Sequence, residues 1–392
     1  MRAGGARGPR AGCCARPLQI LFCTLDYEPG LAGGAEYQAR LQAEELAARG
    51  HRVCVVCPRS PRTQSGPVGA VQVRRLPRIR HRAVRKLSYA LMLGCWLIVR
   101  GRRFDVWHVH LASRQADWVV LIGRLLRRPT YVKVASGGDS GEVRRGDRSA
   151  WLTRRIGLRK ADRVQAVSAQ IAEELREVGV GPDRVLRIPN GLDLSVFSPV
   201  EQQTRESIRR RLRLPAGRPI VLYAGRFAEY KGVGDLLQAW RTVAAESDGV
   251  LVLVGARGEE DKPLAVRVEG PALVTRPWTS DVLDYLRAAD VFAYPAHADG
   301  LSNALLEAMA CGVPTVATNI PAIDGLLEQE RNALLVAPRT PAQLSQSLLR
   351  LLRDDQLRAE LARAAARTAR AYSLEDVVSK IELAYAELTG AS

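Results

Sequence analysis

Disulfide chemistry is the first thing this chain lacks the means for. Its seven cysteines, an odd number strung from Cys13 to Cys311 across 392 residues, make no framework of bridges, so a reducing, cytoplasmic compartment is expected. Cys54-Val-Val-Cys57 has no second Cys or His pair at metal spacing and sits in an apolar run, which favours core packing over zinc. Long apolar runs are missing as well. The longest, Tyr89 to Val99, falls short of the about 20 residues that a membrane-spanning helix needs. Leu18 to Leu25 is followed by Asp26 and no small-x-small cleavage site, so it reads as a first buried strand rather than a signal-peptide core. Met1 to Arg16, rich in Gly, Arg and Ala, reads as a disordered lead. No repeat of solenoid period appears. The first strand is not followed by Gly-x-Gly-x-x-Gly, which argues against a nicotinamide enzyme, and no Walker loop is present.

What the chain does have is an excess of positive charge. With 58 Lys and Arg against 41 acids, the net charge is +17, which points to nucleic acid, an anionic membrane surface, a phosphorylated substrate, or simply an arginine-rich composition. Basic residues do not interleave with aromatics, so no nucleic acid is expected. They do crowd both flanks of the Tyr89–Val99 run, with Arg74 to Lys86 before and Arg100 to Arg103 after. A basic helix with an apolar face suits peripheral contact with an anionic membrane. A hydrophobic share of 47% and a charged share of 25% fit folded globular domains.

Strand-like and helical runs alternate throughout, the signature of α/β domains with parallel sheets. The first series runs from Leu18–Leu25 and the helix Glu36–Ala48 through Arg52–Val56, Asp105–His110, the helix Asp117–Leu126, Thr130–Ala135, the helix Arg148–Leu158 and Arg163–Val167 to the helix Ser168–Glu177. A second series restarts at Pro219–Gly225, and three helices close the chain. The expected organisation is a disordered lead at 1–16, a first Rossmann-like domain at 17–197, a polar linker at 198–216, a second Rossmann-like domain at 217–371, and a helix at 372–392 that returns to the first domain.

Candidate chemistry concentrates in the second series. Between the strands Asp290–Ala296 and Pro314–Thr318, a helix is expected from the Ser302 N-cap, the apolar stripe Leu305, Leu306, Met309 and Ala310, and the stop at Gly312 and Pro314. Asp299 then lies in the loop before this helix and Glu307 on it, off the apolar stripe. The loop Gly225-Arg-Phe-Ala-Glu-Tyr-Lys-Gly232 brings Arg226 and Lys231 to the same sheet edge, two cations suited to a diphosphate. In the first series, Gly33 and Gly34 precede a helix N-terminus, where backbone N–H groups can meet phosphate.

These stretches together resemble family 4 of the retaining glycosyltransferases, which have the GT-B fold. The resemblance covers nearly the whole chain. It rests on Gly33-Gly34-Ala-Glu36, Gly50-His-Arg-Val53, Ala161-Asp-Arg-Val-Gln-Ala-Val-Ser168, Ile188-Pro-Asn-Gly-Leu-Asp193, Gly225-Arg226 with Lys231-Gly232, and two acids eight positions apart ending in Glu307-Ala-Met-Ala-Cys-Gly-Val-Pro314. It implies two Rossmann-like domains facing each other across a cleft and transfer of a sugar from a UDP- or GDP-sugar with retention of configuration. The acceptor it implies is a glycan or a polyprenyl- or other lipid-linked molecule. It further implies that Arg226 and Lys231 hold the diphosphate and Glu307 the ribose, while Asp299 with the backbone of Gly300, Leu301 and Ser302 holds the sugar. Gly33 and Gly34 would close on the phosphates, and His110, with His108 the weaker candidate, would lie near sugar and acceptor. Lys133 and Ser136-Gly137-Gly138 are candidate acceptor-lining residues. No Asp-x-Asp is present, so neither metal nor cofactor is expected. Two departures stand out. Asp299 replaces the family's usual Glu, and Ile320-Pro-Ala-Ile323 stands where a Gly-Gly pair is usual. They leave open a non-catalytic sugar-nucleotide-binding protein, and the architecture leaves open a non-hydrolysing epimerase.

Overall fold

The computed structural model describes residues 16–27, 33–59, 65–79, 81, 85–138, 141–144, 156–256, 272–279 and 281–391. The chain divides into two compact units, Met1–Gly191 with Leu374–Ser392, and Leu192–Ser373. Of the expected disordered lead, only Arg16 is described, and its guanidinium pairs with Asp105 at 3.2 Å. Most of the helix expected at 148–158 also lies outside the described residues.

Among the described residues, the first unit is built on eight strands: β1 (Gln19–Cys23), β2 (Arg52–Pro58), β3 (Gly66–Val68), β4 (Val71–Leu76), β5 (Val106–His110), β6 (Thr130–Val134), β7 (Arg163–Ala166) and β8 (Val185–Arg187). Their order is β3-β4-β2-β1-β5-β6-β7-β8. All neighbours pair in parallel except the hairpin β3–β4. The central strands are buried on both faces, which is why they read as mainly apolar runs rather than as alternating ones, with Lys133 an exception in β6. Around them lie α1 (Gly34–Ala48), α2 (Arg85–Arg100), α3 (Arg114–Leu125) and α4 (Ala169–Glu177), the last capped by Ser168, whose hydroxyl accepts from Ile171 N–H.

Among the described residues, the second unit has six parallel strands, β9 (Ile220–Ala224), β10 (Val250–Ala256), β11 (Leu273–Pro277), β12 (Val291–Tyr294), β13 (Thr315–Thr318) and β14 (Leu334–Val336), in the order β11-β10-β9-β12-β13-β14. The stretch 198–216, expected as a linker, instead belongs to this unit and carries the helix α5 (Gln202–Arg211). Its anchor is ionic: Arg209 donates to the Ala288 carbonyl and meets Asp290 at 2.6 Å, and Arg205 meets the other oxygen of Asp290 at 2.9 Å. The unit also carries the helices α6 (Val233–Glu246), α7 (Val282–Ala288), α8 (Asn303–Ala310), α9 (Pro341–Arg353) and α10 (Asp355–Ala369). The chain then passes back, and α11 (Leu374–Thr389) buries Val377, Val378, Ile381 and Tyr385 in the core of the first unit.

Candidate functional site

Each sheet reverses its winding once. In the second unit the chain leaves β9 toward β10 and β11, and β12 returns on the other side of β9 toward β13 and β14. Loops from the carboxyl ends of two such strands diverge and leave room for a ligand. β9 feeds the loop of Arg226 and Lys231, and β12 feeds the loop of Asp299. Gly232 ties them together. Its φ is 68°, and a Cβ there would stand 1.8 Å from the Pro295 carbonyl oxygen, so a side chain would drive the loops apart. The backbone N–H of His297 donates to the Tyr230 carbonyl at 2.8 Å, and the His297 ring meets Asp235 at 2.8 Å.

Held in this way, Lys231 Nζ lies 2.5 Å from Asp299 Oδ2. The Tyr294 hydroxyl donates to the same oxygen at 2.7 Å, and Gly300 N–H donates to Oδ1 at 2.9 Å. Burial pushes the Asp299 carboxyl up, but the Lys231 charge and these hydrogen bonds outweigh it and hold the group below the ordinary carboxylate value. Arg226 is exposed. Its guanidinium donates to the Tyr230 hydroxyl, and its centre lies 5.6 Å from the Tyr230 ring, over which Lys231 Nζ stands at 5.4 Å. One aromatic ring thus gathers both cations.

Ser302 caps α8 by accepting from Leu305 N–H, and the stripe Leu305, Leu306, Met309 and Ala310 is buried. Glu307 is buried too, with only 5% of its surface exposed. Burial pushes its carboxyl up to about 7, so near neutral pH it is divided between its acid and its anion.

The first unit reverses at β1 and β5. Gly33 precedes α1 in extended backbone, and Gly34 is the first residue of that helix. His110 ends β5. It stacks on His108 at 4.3 Å and on Phe22 at 5.0 Å, and its strand register sets it beside Lys133 of β6. Both residues are buried, and among the described residues neither ring nitrogen of His110 nor the Lys133 amine has a hydrogen-bond partner. Burial lowers the basicity of His110, and the neighbouring His108 and Lys133 lower it further. Burial also draws the Lys133 ammonium down to about 7, against the opposing pull of Glu142. Glu142 ties the loops after β5 and β6 by accepting from Ala112 N–H at 2.6 Å and Ala135 N–H at 3.0 Å. Leu111, directly after His110, has φ 74°, a left-handed backbone that a leucine adopts only under constraint.

The structure therefore brings Lys231, Asp299 and the Gly300 N–H into one hydrogen-bonded group in the second unit, with Arg226 on the same aromatic ring. Leu301 is buried beside the Ser302 cap, and Glu307 follows on α8. Gly33, Gly34, His110 and Lys133 belong to the first unit, at or beyond the carboxyl ends of β1, β5 and β6. Sequence reasoning missed Tyr230 and Tyr294. A tyrosine ending a buried strand such as β12 carries no signal that separates it from a core residue.

Two family models match the chain: "Glycosyl transferases group 1" over residues 218–354 and "Glycosyl transferase 4-like domain" over 33–191. A D-inositol 3-phosphate glycosyltransferase of Xylanimonas cellulosilytica is 31% identical over 312 residues, 73% of this chain and 72% of that protein. The putative teichuronic acid biosynthesis glycosyltransferase TuaC of Bacillus subtilis is 24% identical, over 88% of this chain and 92% of its own. Among solved structures, sucrose-phosphate synthase from Thermosynechococcus elongatus superposes with a TM-score of 0.80 at 23% identity, covering 95% of this chain and 99% of that one. Anabaena HepE in complex with UDP-glucose gives 0.77 at 18% identity, covering 94% and 100%. At these identities the structures speak to the fold alone, and the fold is GT-B.

Proposed function

Since the chain belongs to the group 1 glycosyltransferases, we propose that it takes its sugar from a nucleoside diphosphate donor, a UDP- or GDP-sugar, and transfers it with retention of anomeric configuration to a glycan or lipid-linked acceptor. The two sequence relatives and the sucrose-phosphate synthase just described are named as transferases or a synthase, which gives no support to an epimerase or a non-catalytic binder. The observation that carries the reading is the Lys231–Asp299 pair at the reversal point between β9 and β12, with Arg226 stacked beside it.

Transfer with retention, in which the acceptor attacks from the side the diphosphate leaves, is limited by the negative charge that develops on the leaving group. Two preorganised cations meet that charge without reorganising, an effect commonly worth about 3 kcal/mol for each donor removed. In the absence of donor, Asp299 supplies the counter-charge that keeps Lys231 in place. When donor arrives, Lys231 and Arg226 face the diphosphate, and Asp299 with the Gly300 N–H is left to order the sugar hydroxyls. Glu307 takes the ribose hydroxyls, and neutral His110 accepts a hydrogen bond at the sugar or acceptor. The absence of an Asp-x-Asp pair from the sequence favours transfer that needs no metal ion. HepE has been crystallised with UDP and with UDP-glucose, which favours a uridine donor for the first assays. The cysteine usage favours a cytoplasmic setting.

A panel of sugar nucleotides tests the reading. At least one should raise the melting temperature by mass action and be turned over in EDTA, and NMR of the product should show the donor's anomeric configuration kept. If none binds or reacts, the reading fails. Inverted product would remove retention alone.

A further inference from the structure

In the first unit, α2 and α3 pack together closely enough that a Cβ on Gly94 would stand 3.4 Å from Ile122 Cδ1. Each helix is apolar on two faces. On α2, Tyr89, Leu93 and Leu97, one turn apart, are buried, whereas Leu87, Leu91 and Ile98 are 59%, 62% and 53% exposed. On α3, Val119 and Val120 are buried, whereas Trp118, Leu121 and Leu125 are 53%, 37% and 77% exposed. Helical spacing sets Leu91 and Ile98 beside Gly94, and Trp118 and Leu125 beside Ile122, so the two outer stripes adjoin along one seam. Single exposed leucines are ordinary, but a contiguous apolar patch marks an interaction surface.

The rim of the patch has one sign. Arg100, Arg102, Arg103, Arg124 and Arg127 are all exposed around the C-terminal ends of the two helices. Not one Asp or Glu stands between Glu45 and Asp105, and the acid that α3 carries, Asp117, is buried. A second copy of this chain on the same patch would set like charges against each other. An anionic bilayer offers both an apolar layer for the leucines and phosphates for the guanidinium groups, and a Trp at the edge of such a patch suits the boundary between them. No described helix is long and apolar enough to cross a membrane, so the contact lies in the plane of the interface.

We propose that the adjoining outer faces of α2 and α3, rimmed by arginine, dock the first unit on an anionic lipid surface. This docking goes beyond the proposed function and does not depend on which sugar is moved.

Flotation of the full chain with phosphatidylcholine vesicles, with and without phosphatidylglycerol, tests it. The chain should float with the anionic vesicles and much less with the neutral ones, and salt should release it. Brominated lipid should quench tryptophan emission, and the quenching should shrink in Trp118→Phe. Leu91→Glu with Leu125→Glu should lower vesicle partition by about tenfold or more, since each puts a charge where an apolar side chain would enter the interface. The melting temperature and the hydrolysis of soluble donor should be unchanged in this variant. Sedimentation without vesicles, partition that ignores these substitutions, or dimers that the double variant dissolves would each overturn the proposal, the last by assigning the face to a second copy.

Discussion

Glu307 is a carboxyl buried in a helix whose neighbours are apolar, and burial pushes its pKa up to about 7, so it couples the fold to pH. Its folded-state pKa is raised, so the folded chain holds a proton that the unfolded chain gives up near 4.5. Stability is therefore fullest below about 4.5 and declines as pH rises to about 7, by about 3 kcal/mol at most. Glu307→Gln should remove that slope in urea titrations at a series of pH values. If ribose hydroxyls donate to the anion, donor binding must expel the proton. Calorimetry in buffers of different ionisation enthalpy should then show proton release below pH 7 in the parent chain and none in Glu307→Gln, whose donor affinity should fall by about tenfold or more. Equal proton release in both would separate Glu307 from the donor. Lys133 carries the opposite sign. Burial lowers its pKa to about 7, so the folded chain binds fewer protons than the unfolded one and stability rises with pH from about 7 to 10.5. Lys133→Met should accordingly raise the melting temperature at pH 7, with the gain shrinking toward pH 10. A lower melting temperature would mean that Lys133 is paired with Glu142 more strongly than its burial costs. Of these residues the sequence displays the charged ones, because two cations and two acids at fixed spacing around glycines form a pattern. Tyr230 and Tyr294, which position them, look like any aromatic in a buried strand or a loop.

At the scale of elements, the turn from β9 into α6 shows how local chemistry sets site geometry. Gly232→Ala puts a Cβ into the Pro295 carbonyl oxygen as well as into left-handed backbone. Its cost should exceed the about 1–2 kcal/mol of the backbone term alone, and donor binding should be lost along with the Lys231–Asp299 contact. Gly234→Ala, two residues on, meets nothing within 4 Å and lies inside α6. It should stabilise by about 0.5–1 kcal/mol. Thermal melts of the two variants with and without UDP check both outcomes, and equal effects would show that the junction is not strained. The parallel strands and the helices between them are legible in the sequence because burial on both faces leaves mainly apolar runs. Two kinds of element are not. The strands β3 and β4 are short and lie at the sheet edge, where Val71 and Val73 alternate with exposed residues for too few positions to register. The helix α5 has almost no apolar face, and the pairs that Arg205 and Arg209 make with Asp290 link positions more than 80 residues apart. A polar, charged segment therefore reads as a linker until its distant partner is known.

On the scale of the whole molecule, the chain crosses between units twice, after Gly191 and before Leu374, so the first unit is discontinuous in sequence and the second is not. The alternation of strands and helices makes the two sheets legible, and a return of the last helix to the first unit is expected. What holds that helix is not legible, because it depends on contacts over more than 250 residues. Arg49 donates to Glu382 at 2.6 Å, and His51 meets the other oxygen of Glu382 at 2.8 Å, with all three side chains buried. Tyr385 bonds the ring of His108 and packs against Tyr131. A fragment ending at Gly191 loses all of this. It exposes the groove that Val377, Val378, Ile381 and Tyr385 fill, at roughly 1.5–3 kcal/mol per large side chain, and it leaves Arg49 and His51 without their buried partner. The sum is comparable to the whole stability of an ordinary domain, about 5–15 kcal/mol. Residues 192–373 lose no such element. They should fold alone, give a single cooperative melt, and respond to UDP, since Arg226, Lys231, Asp299 and Glu307 all belong to that unit. The fragment ending at Gly191 should be insoluble or molten by near-ultraviolet circular dichroism, and adding back residues 374–392 through a flexible linker should restore it. If the fragment ending at Gly191 folds without α11, or if 192–373 folds and ignores every nucleotide that the intact chain binds, the division of labour between the two units is wrong.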